Sequence, residues 1–349
     1  MGSSVTFPEA RVVDLVDEAE ALLRPGQVRV RTLFSGISAG TELTAYRGTS
    51  PHLTKQWDAE SRLFTEGAST PSFPVTTLGY EEVGEIVEVA DPDAAGVVVG
   101  DRVWGTWGHR TSAVIDAEFA GARLLADGVD PRIGIFSHIG AVALNAVIDA
   151  DIHVGETVAV FGLGVPGQIV AQLARLNGAR VIAVDGIEPR RALATRLGAE
   201  YVLDPAEPVA ERIRELTDGR GADVAIEITG NARALHEAVR SVGYNSRVVA
   251  AGFLQGDAVG LRLGEEFHHN RVQLISSQIS GSGPAVAHRW NRLRLNRTAI
   301  ELAAAGRLDL LSLISRTVPL RDVADVYRML DEHPGDALQV VIDMREEGR

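Results

Sequence analysis

The sequence predicts an α/β protein in which a β-rich N-terminal region precedes a doubly wound parallel sheet. Two observations lead to this prediction. Residues 10–130 contain short β-branched stretches separated by glycine and proline, a pattern typical of strands and turns. From about residue 139 to residue 280, apolar strand segments alternate with amphipathic helical segments, which indicates a parallel sheet covered by helices.

The individual elements follow from the same patterns. The N-terminal strands are expected at QVRVRTLFSG, VGEIVEVA, DRVWGTW and TSAVID. The parallel sheet is expected from TVAVF, RVIAV, YVL, DVAIEI, RVVAAG and VQLIS, with helices near 166–177, 189–197, 207–217 and 231–242. Helices near 288–305 and 321–332 then precede a last strand, ALQVVID, which we expect to return to the first domain.

These patterns predict two domains. We expect residues 1–138 and 281–349 to form a β-rich domain and residues 139–280 to form the doubly wound α/β domain. The polar stretch from Thr44 to Pro74 carries no clear strand or helix pattern. Because a structureless stretch of that length is uncommon in a compact domain, we expect it to contain a helix.

Composition excludes several classes of protein. The 349 residues carry a formal net charge of −13, so no basic surface is left over for nucleic acid. The absence of cysteine excludes disulfides, thiolate metal sites and a cysteine nucleophile. The N-terminus has no signal-peptide pattern, and no apolar run reads as long enough to span a bilayer. We therefore expect a cytoplasmic protein with no membrane partner.

The segment TVAVFGLGVPG, residues 157–167, indicates dinucleotide binding because it reads as a buried strand, a glycine turn and a helix start. Gly162 allows the tight turn, Gly164 allows the backbone to approach a pyrophosphate, and Gly167 allows close packing of helix against strand. Val165 and Pro166 open the helix, at whose N-terminus the pyrophosphate would bind.

An acid at the end of the next strand bears on the choice of cofactor. Asp185 lies 18 residues after Gly167, where it would accept hydrogen bonds from the adenosine ribose hydroxyls. Its carboxylate would repel a 2′-phosphate, which favours NAD over NADP. Arg190 and Arg191 follow closely and could instead hold such a phosphate or flank the adenine.

Further cofactor contacts are expected at the carboxyl ends of the other parallel strands, where ligands bind in open sheets. The residues at these ends are Thr229, Gly230, Gly252, Phe253, Ser276 and Ser277.

Several segments together resemble the medium-chain dehydrogenase/reductase superfamily, and its zinc alcohol and polyol dehydrogenases most closely. SGIS at 35–38 is similar to the family's first-ligand segment, GYE at 79–81 to its GHE, and GDRV at 100–103 to the strand entry that follows. FSHIGAVALNAV, ARLNGARVIAVD and RLGAEYVLD follow its cofactor-domain pattern. The resemblance covers most of the chain and implies a GroES-like catalytic domain, a Rossmann domain and a homodimer.

The departures from the family pattern concern the catalytic metal. The family's three zinc ligands correspond to Ser38, Tyr80 and Ser137, whose hydroxyls are poor ligands for Zn²⁺. We therefore expect no metal. Aligning GTE with the family's GSD places Thr41 on its proton-relay hydroxyl and Glu42 on the neighbouring acid, whereas an ungapped alignment places Gly40 and Thr41 there.

Without zinc, side chains must take the hydroxyl proton and stabilise a developing alkoxide. Tyr80 is the first candidate, provided that a nearby cation or NAD⁺ itself makes its phenol a useful base. Thr41 could relay a proton, Glu81 could orient Tyr80 or hold a proton, and His138, near the predicted domain junction, could transfer one. His109 is a weaker candidate for the same cleft.

The favoured function is a zinc-independent NAD-dependent dehydrogenase or ketone reductase acting on a polar secondary alcohol, such as a cyclitol, a sugar derivative or a specialised metabolite. Three alternatives stay open. They are an NADPH-dependent quinone or enoyl reductase, an enzyme that uses bound NAD transiently for epimerisation or elimination, and a silent NAD-binding protein. The segment LGEEFHHN is not expected to bind metal, because adjacent His268 and His269 would point to opposite faces of a strand.

Overall fold

A computed structural model describes residues 2–67, 72–91 and 96–345. Within these residues the strands are β1 (Gly2–Thr6), β2 (Asp14–Glu18), β3 (Gln27–Ile37), β4 (Lys55–Asp58), β5 (Leu63–Glu66), β6 (Glu82–Val89), β7 (Arg102–Gly105), β8 (Ser112–Asp116), β9 (Thr157–Phe161), β10 (Arg180–Val184), β11 (Tyr201–Leu203), β12 (Ala222–Glu227), β13 (Val242–Ala250), β14 (Gln273–Ser276), β15 (Ile314–Pro319) and β16 (Gln339–Asp343). The α-helices are α1 (Ala39–Tyr46), α2 (Ala117–Gly121), α3 (Ser137–Asp149), α4 (Val165–Leu176), α5 (Glu188–Arg196), α6 (Val209–Leu216), α7 (Ala232–Ser241), α8 (Arg292–Ala304) and α9 (Val323–Glu332).

The chain forms two compact units, of which the first comprises Met1–His138 and Ile314–Arg349. Its main sheet has the order β15-β16-β3-β6-β7, and β8 also pairs with β3. As expected, the C-terminal strand β16 returns here and runs antiparallel to β3. A buried aromatic group formed by Phe7, Tyr46 and Tyr327 anchors α1 and α9 against this sheet.

The second unit comprises Ile139–Leu313 and contains a parallel sheet in the order β11-β10-β9-β12-β13-β14. This is the doubly wound order of a dinucleotide-binding fold, so the predicted fold class is confirmed. Every residue of the central strand β9 is buried, because an internal parallel strand is covered by helices on both faces.

Residues 281–313, which the sequence placed with the first domain, group instead with the second unit. Packing within that unit explains the difference. A Cβ on Gly140 would lie only 2.7 Å from Ala299 Cβ in α8, so α3 and α8 are in close contact. The amide of Asn145 also donates to the carbonyl of Gly281, at 3.2 Å.

The stretch from Thr44 to Pro74, expected to contain a helix, holds the end of α1, a short 3₁₀ helix at Pro51–Leu53 and a hairpin that was not expected. Helix α1 begins earlier, at Ala39, and ends at Tyr46, while β4 and β5 pair as an antiparallel hairpin. The hairpin was not predicted because its strands are only four residues long and exposed, so they lack a clear apolar alternation. Residues 68–71 of this stretch lie outside the described residues.

One helical run is longer and more apolar than we expected from the sequence. Pro131–Asp149 spans 19 residues and by length and composition could cross a membrane. However, 67% of its apolar window is buried inside the protein, as in the core helix of a soluble protein. The run therefore packs as part of the fold.

Candidate active site

The glycine turn after β9 has the backbone geometry that its sequence predicted. Gly162 adopts a φ of +99°, a conformation that favours glycine. A Cβ on Gly167 would lie 1.9 Å from the carbonyl oxygen of Gly162, so only glycine permits this contact of helix and turn. At Gly164, by contrast, the nearest atom to a Cβ is Pro166 Cδ at 3.9 Å. The turn therefore leaves Gly164 open to an approaching ligand.

Asp185 lies against the same turn. Its carboxylate accepts a hydrogen bond from the amide of Leu163 at 2.7 Å and another from the amide of Ile187 at 2.8 Å. Gln168 stabilises the contact between the turn and the segment after Asp185 by donating a hydrogen bond to the carbonyl of Arg190 at 2.8 Å. Asp185 thus stabilises the glycine turn itself and keeps further acceptor capacity for a ribose hydroxyl.

The two arginines that could hold a 2′-phosphate occupy different environments. Arg191 forms an ion pair with Asp204 at 2.9 Å and donates to the carbonyl of Asp185 at 2.6 Å. Burial lowers the pKa of the Arg190 guanidinium, which the charge of Asp185 partly opposes. Arg191 is therefore committed to contacts within the protein.

A buried glutamate that the sequence analysis missed organises the loop after β12. One Glu227 oxygen accepts hydrogen bonds from the Thr229 amide at 2.6 Å, the Gly230 amide at 3.0 Å and the Thr229 hydroxyl. A Cβ on Gly252 would lie 2.1 Å from the Gly230 amide nitrogen, so the two predicted cofactor loops pack tightly. The sequence did carry a signal for Glu227, since an acid lies inside the otherwise apolar strand DVAIEI. Phe253 and Ser276 are exposed at the ends of their strands.

In the first unit, three hydroxyl groups meet at the positions that correspond to the family's metal-ligand segments. The Tyr80 hydroxyl forms a short hydrogen bond with Ser38 Oγ and lies 3.2 Å from Thr41 Oγ1. The His138 ring contacts the Tyr80 ring edge-on, with centroids 4.6 Å apart. The structure thus brings together Tyr80, Thr41 and His138, three of the residues predicted for proton transfer.

The environment of Tyr80 changes the role expected for it. Burial and the neighbouring charge of Glu81 raise the pKa of the Tyr80 phenol, while its bonds to Ser38 and Thr41 act in the opposite direction. None of the groups that shift the pKa of Tyr80 is a cation, so no described residue makes this phenol a base. Tyr80 is therefore suited to donate a hydrogen bond or a proton.

Behind these hydroxyls lies a buried polar chain that was not predicted as a unit. His109 Nε2 contacts Glu42 Oε2 at 2.9 Å, and His109 Nδ1 contacts Ser35 Oγ at 2.6 Å. Ser35 in turn donates to Glu82 Oε1 at 3.1 Å. Burial disfavours charge on both partners, but their attraction prevails: it raises the pKa of His109 and lowers that of Glu42.

Glu42 connects this chain to the hydroxyl groups. It accepts a hydrogen bond from the Ser38 amide at 2.9 Å and one from the Tyr327 hydroxyl. Glu42 therefore fixes the start of α1, the helix that carries Thr41. The alignment predicts Glu42 as the acid beside the relay hydroxyl of Thr41, and its contacts here are with the start of the helix that carries Thr41.

Glu81 is buried next to Tyr80 but is not bonded to it. Its Oε2 atom has no hydrogen-bond partner among the described residues. Burial, together with the charges of Glu42 and Glu82, raises the pKa of the Glu81 carboxyl well above its ordinary value. Burial therefore favours the protonated form of the Glu81 carboxyl.

Replacing Glu81 with glutamine should flatten the dependence of stability on pH. Because the folded pKa of Glu81 lies above its ordinary value of 4.5, its contribution is complete below that pH and is lost as the pH rises through the folded pKa. The wild type should lose about 1.4 kcal/mol of unfolding free energy per pH unit in this window from Glu81 alone.

Denaturant unfolding from pH 5 to pH 9 measures this slope. Glu82 and His109, whose pKa values are also raised, preserve part of the slope in Glu81→Gln. The control is Glu200→Gln, an exposed carboxyl paired with Arg180. Equal slopes for Glu81→Gln and the wild type would show that Glu81 is ionised in the folded protein.

The segment LGEEFHHN is not a strand, contrary to the expectation. Leu263–Phe267 forms a helical turn with a kink at Glu265, whose backbone is not helical. Helix resumes at His268 and His269, whose ring centroids lie 5.4 Å apart. The argument from strand alternation was therefore wrong for this segment. Ser137, the third position of the family's metal-ligand set, is buried at the start of α3.

Comparison with known proteins agrees with this fold and nucleotide turn. The sequence model of the zinc-binding dehydrogenase family matches residues 164–293. D-guloside 3-dehydrogenase of Shigella flexneri is 32% identical over 95% of this chain and 96% of its own length. (R,R)-butanediol dehydrogenase of Bacillus subtilis is 29% identical over 75% of this chain and 78% of its own.

Solved structures show the same fold. The 2R,3R-butanediol dehydrogenase of Bacillus subtilis superposes with a TM-score of 0.77 at 22% identity, covering 98% of this chain and 99% of that one. A putative zinc-binding dehydrogenase of Sinorhizobium meliloti, bound to NADP, gives 0.77 at 24% identity with the same coverage.

The fold, the glycine turn and these relatives define an oxidoreductase that acts on alcohol groups with a nicotinamide cofactor. More particularly, the chain belongs to the zinc-binding dehydrogenases of the medium-chain dehydrogenase/reductase superfamily.

Proposed function

We propose that this protein is a zinc-independent, NAD-dependent dehydrogenase that interconverts a polar secondary alcohol and its ketone. The observation that carries the proposal is the hydroxyl group cluster of Tyr80, Ser38 and Thr41. Zn²⁺ is bound in proteins by thiolate, imidazole or carboxylate. The donors at the three ligand positions, Ser38, Tyr80 and Ser137, are hydroxyl oxygens, so the residues present do not fit a catalytic zinc.

The glycine turn, in contrast, fits a dinucleotide. Gly164 leaves open space where a pyrophosphate would approach, and the first turn of α4 offers backbone amides beside it. Asp185 favours NAD because its carboxylate can bind ribose hydroxyls and would repel a 2′-phosphate. Arg191 supports the same choice, since its contact with Asp204 would have to break before it could bind that phosphate.

The proposed reaction assigns a defined proton donor to the carbonyl oxygen. NAD, when bound, supplies the hydride acceptor or, in reduced form, the hydride donor. Tyr80 keeps its proton at neutral pH and donates it to the substrate oxygen as the alkoxide develops. Ser38 and Thr41 hold the phenol oxygen in place, and either can return a proton to it. Since a raised pKa disfavours the phenolate, we expect alcohol oxidation to require a higher pH than ketone reduction.

The comparison with known proteins favours a polyhydroxylated substrate. D-guloside 3-dehydrogenase, the relative aligned over 95% of this chain, acts on a sugar derivative by its name. We therefore propose a glycoside, cyclitol or related secondary alcohol. Accumulation of reduced nicotinamide over a panel of such compounds tests this class. Product formation without net reduction would instead favour transient use of NAD in an epimerisation or elimination.

Asp185→Asn tests the choice of cofactor. The substitution keeps the size of the side chain and one amide contact but removes the charge, so NADH should bind about 10-fold more weakly. NADPH should lose less affinity, because repulsion of its phosphate disappears. Fluorescence titration with both nucleotides measures the two changes, and each nucleotide serves as the control for the other. Equal losses would contradict the role assigned to Asp185.

We also propose a cytoplasmic homodimer that associates through the sheet edge of the second unit. Strand β14 ends the sheet order and pairs only with β13 among the described residues. Its Leu274 side chain is 38% exposed. An unpaired edge with an exposed apolar residue supports pairing with a second copy. Sedimentation of the purified protein measures its oligomeric state.

A further inference from the structure

Three potential metal ligands converge in the second unit, on residues that the proposed reaction does not use. They are His236 on α7 and Glu265 and Glu266 on the Leu263–Phe267 turn. One ligand atom from each residue lies within 4.8 Å of the other two. Glu265 has non-helical backbone angles, φ −98° and ψ −124°, so neither a regular strand nor a regular helix describes how the two glutamates are placed.

Two of these residues each have a buried polar atom without a hydrogen-bond partner among the described residues. His236 Nδ1 and Glu266 Oε2 are inaccessible to solvent and have no hydrogen-bond partner among the described residues. The other Glu266 oxygen is occupied, since it accepts from Arg240 Nε at 3.3 Å. Buried polar atoms in folded proteins nearly always have partners, so this pair of free atoms indicates a missing ligand between α7 and the turn.

The local charge indicates that the ligand is a cation. Arg240 contacts three carboxylates and Arg262 contacts a fourth, at distances from 2.7 to 3.5 Å. Arg214 is a third guanidinium group close enough to act on Glu211. The four carboxylates still outnumber the guanidinium groups around them, so the cluster would attract a cation. The four carboxylates are those of Glu211, Glu237, Glu265 and Glu266.

We propose that His236, Glu265 and Glu266 bind Zn²⁺ at a site separate from the active site. One imidazole nitrogen and two carboxylates form a ligand set that suits Zn²⁺, whereas Mg²⁺ and Ca²⁺ prefer oxygen alone. Glu265 is 51% exposed and so has room to turn inward and shorten its distance to the ion. The ion would join α7 to the Leu263–Phe267 turn and stabilise the second unit.

Zinc titration of the metal-stripped, full-length protein tests this site. A chromophoric chelator that competes for Zn²⁺ reports stoichiometry and affinity. The wild type should bind one equivalent, and His236→Ala should weaken binding by at least about 10-fold, the loss expected when an imidazole ligand is removed. His268→Ala is the matched control, because this exposed histidine lies two residues from Glu266 and outside the ligand set. It should bind as the wild type does.

Thermal unfolding gives a second readout. Zn²⁺ should raise the melting temperature of the wild type and of His268→Ala but not that of His236→Ala, because a ligand that binds only the folded state stabilises it. Equal melting temperatures of the three stripped proteins would show that the variants fold. A wild type that binds no zinc, or a His236→Ala variant that binds it equally well, would overturn the proposed site.

The outcomes also distinguish a failure of the proposed zinc site from a failure of the proposed zinc-independent reaction. Zinc lost in His236→Ala with unchanged turnover supports both proposals. No bound zinc with full turnover overturns only the His236 site. Zinc lost in Tyr80→Phe but kept in His236→Ala, with turnover that requires it, would contradict both.

Discussion

Tyr80→Phe is expected to lower the rate of ketone reduction by about 100-fold or more, the contribution typical of a positioned proton donor. The substitution removes one oxygen and keeps the ring that packs against His138. Nucleotide affinity should stay within about 2-fold of the wild type, because the glycine turn belongs to the second unit. Single-turnover oxidation of NADH measures the rate, and fluorescence titration measures the affinity.

Tyr244→Phe is the matched control for this experiment. Tyr244 is 69% exposed and belongs to the second unit, so removal of its hydroxyl should leave the rate unchanged. If Tyr80→Phe reduces ketones as fast as the control, Tyr80 fills space and the proton donor must be sought at His138 or Thr41.

Gly167→Ala is expected to destabilise the nucleotide-binding unit by about 3 kcal/mol, at the upper end of the usual cost of overpacking. The added methyl group would lie 1.9 Å from the carbonyl oxygen of Gly162, which is fixed backbone. Helix α4 must therefore move away from the turn. A change of this size should lower the melting temperature by roughly 6–12 °C, measured by scanning calorimetry.

Gly164→Ala separates the effect on stability from the effect on cofactor binding. Its backbone, with φ −62° and ψ −177°, is open to alanine, and no protein atom lies within 3.9 Å of the added Cβ. The melting temperature should therefore stay unchanged, while NADH should bind about 10-fold more weakly, because the methyl group occupies the space proposed for the pyrophosphate. If both variants lose stability without an effect on NADH, the turn has only a structural role.

The nucleotide-binding unit could be predicted because its signals are local. The positions of Gly162, Gly167 and Asp185 lie within one strand–helix–strand unit, and the spacing of glycines reflects steric limits of the backbone. The glutamate at the end of β12 was missed for a related reason. Glu227 bonds to Thr229 and Gly230, two and three residues later, but an acid in an apolar strand carries no spacing rule.

The buried chain in the first unit could not be predicted because its contacts are remote along the sequence. His109 contacts Glu42 across 67 residues, and Glu42 contacts Tyr327 across 285 residues. A single sequence does not show which of these side chains are in contact in the folded protein. The pKa of Tyr80 likewise depends on burial and on the charge of Glu81, so only the structure could indicate a proton donor in place of a base.

The most direct test of the proposed function is turnover of metal-free protein with NAD. His236→Ala should be stripped of metal and assayed for NAD reduction over glycosides, cyclitols and polyols, with and without a chelator. This variant removes the proposed peripheral zinc, so any zinc dependence must come from the active site. We expect full turnover at metal contents below about one-tenth of an ion per chain, unaffected by the chelator, since the hydroxyls of Ser38, Tyr80 and Ser137 are poor zinc ligands. Turnover that appears only when zinc is restored would contradict the proposed function.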